Sequence, residues 1–226
     1  TVTYYARMVF AELSGMREEL VALESGNLGR VSVGAIPALA SGLLTRTIAT
    51  LKKSHPRLSM SIQVDTSDVL VNALLQDQLD LVLGRIPPGA RAEELLFDSL
   101  GEEQLCVIAG AQNPLAQATQ LTWGELQNMT WVLQQQPSPM RTIINQVFHN
   151  ARVDIPSSIV ETTSIMTLLS LIQQTDMLGV TPLSVVDDYP GRHLLAILPI
   201  SFEPRLPPFG LITRRHRIMS SAMQAF

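Results

Sequence analysis

A single cysteine, Cys106, stands in 226 residues. One thiol excludes an internal disulfide framework and fits a reducing, cytoplasmic compartment. Its plain reading is a small buried hydrophobe on a strand. Long apolar runs are missing too. None approaches the roughly 18 residues of a membrane span, and no charged-then-apolar leader opens the chain. Charged residues are sparse at 16%, and the net charge is −4. That balance argues against a nucleic-acid-binding surface over the chain as a whole and leaves room for a local basic patch. Residue 1 is Thr rather than Met, so further chain is expected upstream.

Signatures of catalysis are equally scarce. There is no G-x-G-x-x-G, no P-loop and no G-x-S-x-G. His55, His149, His193 and His216 are scattered, and none stands at metal-ligand spacing from another His, Cys or acid. No metal site, cofactor or catalytic residue is expected. Asp187 and Asp188 point about 100° apart if helical and read as a solvated face. Arg214, Arg215, His216 and Arg217 read as a solvated strand end rather than a phosphate patch. Met8, Met16, Met166, Met219 and Met223 read as core or interface filler at helical positions.

What is present is a hydrophobic content of 46% in ordered patterns. The length suits two compact lobes. Val2, Ala6, Val9, Leu13, Met16, Leu20 and Leu23 follow a 4-3-4-3 spacing between charged flanks. That narrow seam predicts a helix pairing with a second chain. Ser25, Gly26, Asn27 and Gly29 break it.

Two strand–helix alternations follow. The first predicts strands over 31–36, 58–64 and 79–83, and helices over 42–54 and from Thr66 or Ser67 onward. One of those two hydroxyls should cap the helix, whose apolar face is Val69, Leu70, Ala73 and Leu74. Strands over 94–100 and 103–109 come next. The second alternation predicts strands at 131–134, 157–161, 177–181, 194–198 and 209–214. Helices lie between them at 140–150, 164–174 and 183–188. Such βαβ units predict a mainly parallel sheet with the loops after the strands gathered at one edge. These loops carry Pro37-Ala38, Thr66-Ser67, Gly84-Arg85, Gln134-Gln135, Thr162-Thr163-Ser164 and Thr181-Pro182. Hydroxyl, amide and backbone donors dominate, and helix starts favour bound anions. This is the equipment of a small-molecule cleft, although helix capping uses the same residues.

With these residues in place, the chain resembles the LysR-type transcriptional regulators. The likeness rests on VSVGAIPALASGLL, LKKSHPRLSMSI, NALLQDQLDLVLGR, the NPLA of Asn113–Ala116, ETTSIMTLLSLI and LGVTPLSVV. It spans nearly the whole chain. The resemblance implies an α/β fold of two Rossmann-like lobes joined by two crossing strands, similar to type 2 periplasmic binding proteins and preceded by a linker helix. Residues 1–27 would be the linker and dimerisation helix. Lobe one would be 28–108 plus 208–226, and lobe two 109–207, with crossing strands near 106–109 and 202–207.

The same resemblance implies a small-molecule effector, a carboxylate first among candidates, between the lobes. Its contacts would be Pro37, Ala38, Thr66, Ser67 and Arg85 in lobe one, and Gln135, Thr163, Ser164, Thr181 and Pro182 in lobe two. Ala38 stands where many relatives have Ser or Thr, so backbone N–H groups must substitute there. The resemblance further implies a homo-oligomer, dimeric or tetrameric, and DNA contact through an upstream winged helix-turn-helix. The competing readings are a transporter's solute-binding protein and a two-lobed enzyme such as a deaminase or dehydratase. The N-terminal seam opposes the former, and the latter lacks catalytic residues.

Overall fold

The computed structural model describes residues 29–203 and 205–226, and within the first 28 residues Ala6, Val9, Phe10, Leu13, Met16 and Arg17. Those six are helical. The seam positions Val2, Leu20 and Leu23 and the break at 25–27 lie outside the described residues.

The β-branched run after Gly29 forms β1 (Arg30–Ala35), with Val31, Val33 and Ala35 fully buried. Pro37 then starts α1 (Pro37–Leu39), which passes through a π-helical turn (Ala40–Leu44) into α2 (Thr45–Ser54). The helix therefore begins five residues before the predicted Gly42. Proline's fixed φ suits the first helical position, where its missing N–H costs nothing. β2 (Ser59–Val64) pairs with β1 in parallel, Arg30 opposite Ser59 through Ala35 opposite Val64. α3 (Ser67–Leu75) follows and buries Leu70, Val71, Ala73 and Leu74. Val69, expected inward, is exposed. β3 (Leu81–Gly84) lies on the other side of β1, again parallel. Gly34 lets α3 close on the sheet: a Cβ there would stand 2.7 Å from Leu79 and 3.0 Å from Leu70.

The chain next makes β4 (Leu95–Gly101) and crosses over residues 102–104 into β5 (Leu105–Gly110). Beyond α4 (Trp123–Leu126) come β6 (Trp131–Leu133), α5 (Pro139–Asn150), β7 (Ile159–Glu161), α6 (Ile165–Gln174) and β8 (Leu178–Pro182). α7 (Leu183–Asp187) and β9 (Leu195–Ile197) complete the second lobe. The chain then returns to the first as β10 (Phe209–Arg214) and α8 (Ser221–Ala225).

Two five-stranded sheets result, ordered β2-β1-β3-β10-β4 and β7-β6-β8-β5-β9. Each is mixed, which corrects the mainly parallel expectation. Three strands are parallel, while β10 runs antiparallel to β3 and β4, and β5 antiparallel to β8 and β9. The antiparallel strand is in both cases the one that has just crossed from the other lobe. Residues Cys106–Ala109, expected as a crossing strand, are the interior of β5 in the second sheet. No residue repeat relates the lobes, yet their strand orders match position for position.

Each sheet carries its own core. Leu44, Leu70, Leu74 and Leu81 lead the first. In the second, Trp131 and Phe148 are fully buried with ring centroids 5.5 Å apart, edge to face, a favoured aromatic geometry. Trp123 packs against Phe148 and Phe202 at 5.2 Å each. In the basic cluster at the end of β10, Arg215 and His216 are exposed as expected, while Arg214 and Arg217 are half-buried. Arg214 pairs with Asp77, Arg217 with Asp80, and Arg215 donates to the carbonyls of Glu93 and Leu95. Met223 is buried as expected, while Met166 and Met219 are exposed.

Candidate functional site

The carboxyl ends of β1, β2 and β3 release the chain at one edge of the first sheet. Pro37 and Ala38, Thr66 and Ser67, and Arg85 meet there. Thr66, Ser67 and Arg85 are all buried. Thr66 takes the N-cap position of α3 in extended backbone, but neither its side chain nor that of Ser67 caps the helix. The Ser67 Oγ instead accepts the Arg85 backbone N–H at 3.1 Å, tying α3 to the end of β3. Its hydroxyl hydrogen and the first N–H groups of α3 stay available for a ligand.

The second lobe faces this edge with Thr163, Ser164, Thr181 and Pro182. Ser164 caps α6: its Oγ accepts the Thr167 N–H at 3.2 Å, and Thr162 Oγ1 accepts the Ser164 N–H at 3.1 Å. Between the lobes lie two small adjoining cavities of about 30 Å³ each. Pro37, Ala38, Gln134, Met140 and Pro182 line both. Thr66, Ser67 and Arg85 line one, and Thr163, Ser164 and Thr181 the other. Nine of the ten expected positions thus come together. Gln135 does not: it is exposed, and its neighbour Gln134 lines the cavities instead. β6 ends at Leu133, one residue before the predicted end, so the inward position falls on 134.

Arg85 is already engaged. Its Nε donates to the Pro207 carbonyl at 2.9 Å, and its guanidinium pairs with the Glu103 carboxylate. Both side chains are at least 94% buried. Glu103 lies in the first crossover and Pro207 near the end of the second, so Arg85 joins the cleft to both connections between the lobes.

A second buried cation escaped the sequence reading. Arg141, in the first turn of α5, donates to the Gln134 carbonyl at 3.0 Å, to Glu161 at 2.9 Å and to Asn145 at 3.2 Å. A cation in a helix's first turn opposes the helix dipole. That misplacement in the sequence was the available signal that it needed an anionic partner. Glu103 carried a signal of the same kind, an acid at the mouth of an apolar strand.

Cys106 lies on β5 opposite Thr181, and its Sγ–H reaches the Thr181 carbonyl at 3.4 Å. Burial, aided by the negative charge of Asp187, pushes its pKa up to about 12. It is a neutral thiol at physiological pH, neither nucleophile nor metal ligand. Among the described residues no group of His, Cys, Asp or Glu could hold a metal ion. The cleft holds donors and one compensated cation, and no acid–base pair is poised over it.

Comparisons with known proteins agree with this geometry. The family model described as the LysR substrate binding domain matches residues 24–226. The HTH-type transcriptional regulator GbpR of Azospirillum brasilense is 28% identical over 217 residues, 96% of this chain and 64% of its own length. GalR of Pseudomonas putida is 26% identical over 224 residues, 99% of this chain and 56% of its own. The chain thus spans under two thirds of these curated relatives. Among solved structures, the regulatory domain of Synechocystis CcmR with 2-PG superposes at a TM-score of 0.75 and 19% identity, covering 87% of this chain and 93% of that one. The BenM effector binding domain with its effector benzoate gives 0.65 at 20% identity, covering 87% and 89%.

Proposed function

The chain belongs to the LysR substrate-binding domain family, and from that premise we propose that it is the effector-sensing domain of a DNA-binding transcriptional regulator. It is a binding module rather than an enzyme. The observation that carries the reading is the interlobe cleft, where two helix starts, a free hydroxyl and Arg85 converge from separate elements. Its ligand positions are Pro37, Ala38, Thr66, Ser67, Arg85, Thr163, Ser164, Thr181 and Pro182, with Gln134 in place of Gln135. Each cavity of about 30 Å³ has room for roughly one water. An effector enters only when the lobes part, and it then holds a different lobe angle. Effector binding therefore shifts the population of lobe arrangements, which the linked DNA-binding domains read.

The preferred effector is a small carboxylate. The N-termini of α1 and α3 offer N–H groups and positive dipole ends, and the relative that binds benzoate points the same way. One observation favours a second reading, a neutral polyhydroxylated metabolite: Glu103 already compensates the Arg85 charge.

The two readings separate by calorimetric titration against small carboxylates, starting with benzoate, and against neutral sugars. Arg85→Ala alone leaves Glu103 buried and unpaired and should cost stability on the order of 3–5 kcal/mol. The double variant Arg85→Met with Glu103→Met should fold normally, because apolar replacement of both partners of a buried pair is often neutral. For a carboxylate effector the double variant loses affinity roughly 10- to 150-fold, and Ser67→Ala loses about fivefold. Unchanged carboxylate affinity in the double variant removes Arg85 from the site.

Assembly belongs to the same proposal. The division runs as linker helix 1–27, lobe one 28–108 plus 208–226 and lobe two 109–207, with 105–108 drawn into lobe two by the pairing of β5. Val9, Phe10, Leu13 and Met16 are exposed on the N-terminal helix, which supports pairing with a second copy into a dimer or tetramer. DNA contact belongs to an upstream domain, and the setting is cytoplasmic. Among the described residues no helix is long and apolar enough to cross a membrane.

A further inference from the structure

The effector cleft lies at the carboxyl ends of β1, β2 and β3, and the opposite edge of the same sheet has a different electrostatic character. From Ser25 to Val64 the sequence carries five Lys or Arg residues and no Asp or Glu, in a chain whose net charge is −4. Arg46, one of the five, reaches across to Asp188 of lobe two at 3.6 Å. The other four gather where β1 and β2 begin. Arg30 opens β1 opposite Ser59, the first residue of β2. Lys52 and Lys53 stand in the last turn of α2, and Arg57 lies in the turn from α2 to β2. β10 runs antiparallel to β3, so it ends at this same edge, and Arg215 follows it. Arg30, Lys52, Lys53, Arg57 and Arg215 are all exposed. From β2 to β10 the edge covers three strand spacings, roughly 14 Å.

Carboxylates do not cancel this charge. Asp77 and Asp80 stand at the edge, but Arg214 and Arg217 meet them. Glu94 pairs with Arg91, which leaves Glu93 as the neighbouring acid without an ion pair among the described residues. Arg30, Lys52, Lys53 and Arg215 pair with no carboxylate among the described residues. Two of them are held by backbone carbonyls instead. Lys52 Nζ donates to the carbonyls of Leu58 and Pro56. Arg215 donates to those of Glu93 at 3.0 Å and Leu95 at 3.2 Å. A carbonyl is a neutral acceptor, so it fixes the place of a cation and leaves its charge whole. The chain enters lobe one through Gly29 at this edge, so the upstream segment attaches beside the cations.

We propose that this edge is an auxiliary docking surface for duplex DNA, held through its phosphate backbone without reading sequence. The proposal rests on the reading of the chain as part of a DNA-binding regulator: an upstream domain bound to its site is tethered at Gly29 and brings the flanking duplex to this edge. Cations on phosphates position a duplex, and base contacts, which belong to the upstream domain, specify it. Over roughly 14 Å of axis the duplex presents on the order of eight phosphate charges, enough for all four cations. The edge lies at the far end of the sheet from the cleft, so DNA and effector do not compete for room.

The test is fluorescence anisotropy of a short labelled duplex of mixed sequence, titrated with the 1–226 chain at salt concentrations from about 50 to 200 mM. Four phosphate contacts give a log–log salt slope near about −3.6, so affinity should fall roughly 150-fold across that range. The triple variant Arg30→Gln, Lys53→Gln, Arg215→Gln changes exposed positions only and should keep its melting temperature. Its slope should flatten to about −0.9, a loss of only about fourfold. Lys53→Gln alone should flatten the slope by about 0.9. A control triple variant, Arg46→Gln, Arg192→Gln, Arg205→Gln, removes the same charge from arginines that face carboxylates elsewhere and should keep the natural slope. No binding at the lowest salt, a natural slope shallower than about −2, or equal loss in both triple variants overturns the proposal. Tighter binding of poly-L-glutamate than of the duplex also overturns it and assigns the edge to an acidic protein partner. No effector enters this titration, so failure at the edge leaves the cleft reading standing, and a cleft blind to effectors leaves the result at the edge standing.

Discussion

At the scale of single residues, Cys106 shows how burial changes chemistry. Its pKa rises to about 12, chiefly through desolvation. Below the thiol's ordinary value, near 9, folded and unfolded chains both hold the proton and stability is full. Between about 9 and 12 the unfolded chain ionises and the folded one does not, so stability falls by up to about 1.4 kcal/mol per pH unit. Urea melts across that range should show a steeper alkaline loss for the natural chain than for Cys106→Ala. Parallel slopes would mean the thiol titrates normally in the fold. Thiol reagents should likewise react only on unfolding. The sequence reading placed Cys106 correctly because a strand interior is a local pattern. It missed the pairing of Arg85 with Glu103 because the partners are 18 residues apart, one just past β3 and the other in the crossover after β4. No spacing rule links two residues that meet through a crossover.

Elements tell a similar story. The helix end before Pro56 and the helix start at Ser164 were legible, since proline geometry and hydroxyl caps act within one turn, whereas the pattern after β1 puts the helix start at Gly42 rather than at Pro37. The π-helical turn at Ala40–Leu44 was not. Thr45 accompanies it, with Oγ1 donating to the Ser41 carbonyl at 2.9 Å and to Gly42 at 3.0 Å. Those bonds serve carbonyls near the irregular turn. The sheet direction was legible only for the βαβ units. β5 and β10 arrive from the other lobe, and their antiparallel insertion depends on tertiary contacts no window contains. The N-terminal helix, by contrast, speaks through its seam alone. Val9, Leu13 and Met16 expose apolar side chains. Replacing Leu13 and Leu20 together by Asp should bury charge in that seam and weaken pairing by several kcal/mol. Light scattering at matched concentration should then report a lower mass. An unchanged mass would assign assembly to the faces of the lobes.

For the whole molecule, charge sets what the chain can do by itself. The net charge is −4, and Arg214 and Arg217 of the one basic cluster are spent on Asp77 and Asp80. The chain should therefore bind DNA weakly, without sequence preference, and lose that binding as salt rises. A specific complex that survives physiological salt in an electrophoretic shift would place a DNA reader within these 226 residues. The two-lobed architecture and nine of ten cleft positions were legible, because parallel strands release their loops at one edge whatever the residues between them.

The exchange of β5 and β10 also has a consequence in time. Every strand of the second sheet lies within residues 105–197. That lobe is complete as a contiguous stretch once its last strand has left the ribosome. The first sheet cannot close so early. β3 and β4 do not pair with each other, and β10, ending at Arg214, is the strand that bridges them. During synthesis β3 and the inner edge of β4 stay unpaired until β10 emerges, after every strand of the second sheet. The lobe made first is the lobe finished last.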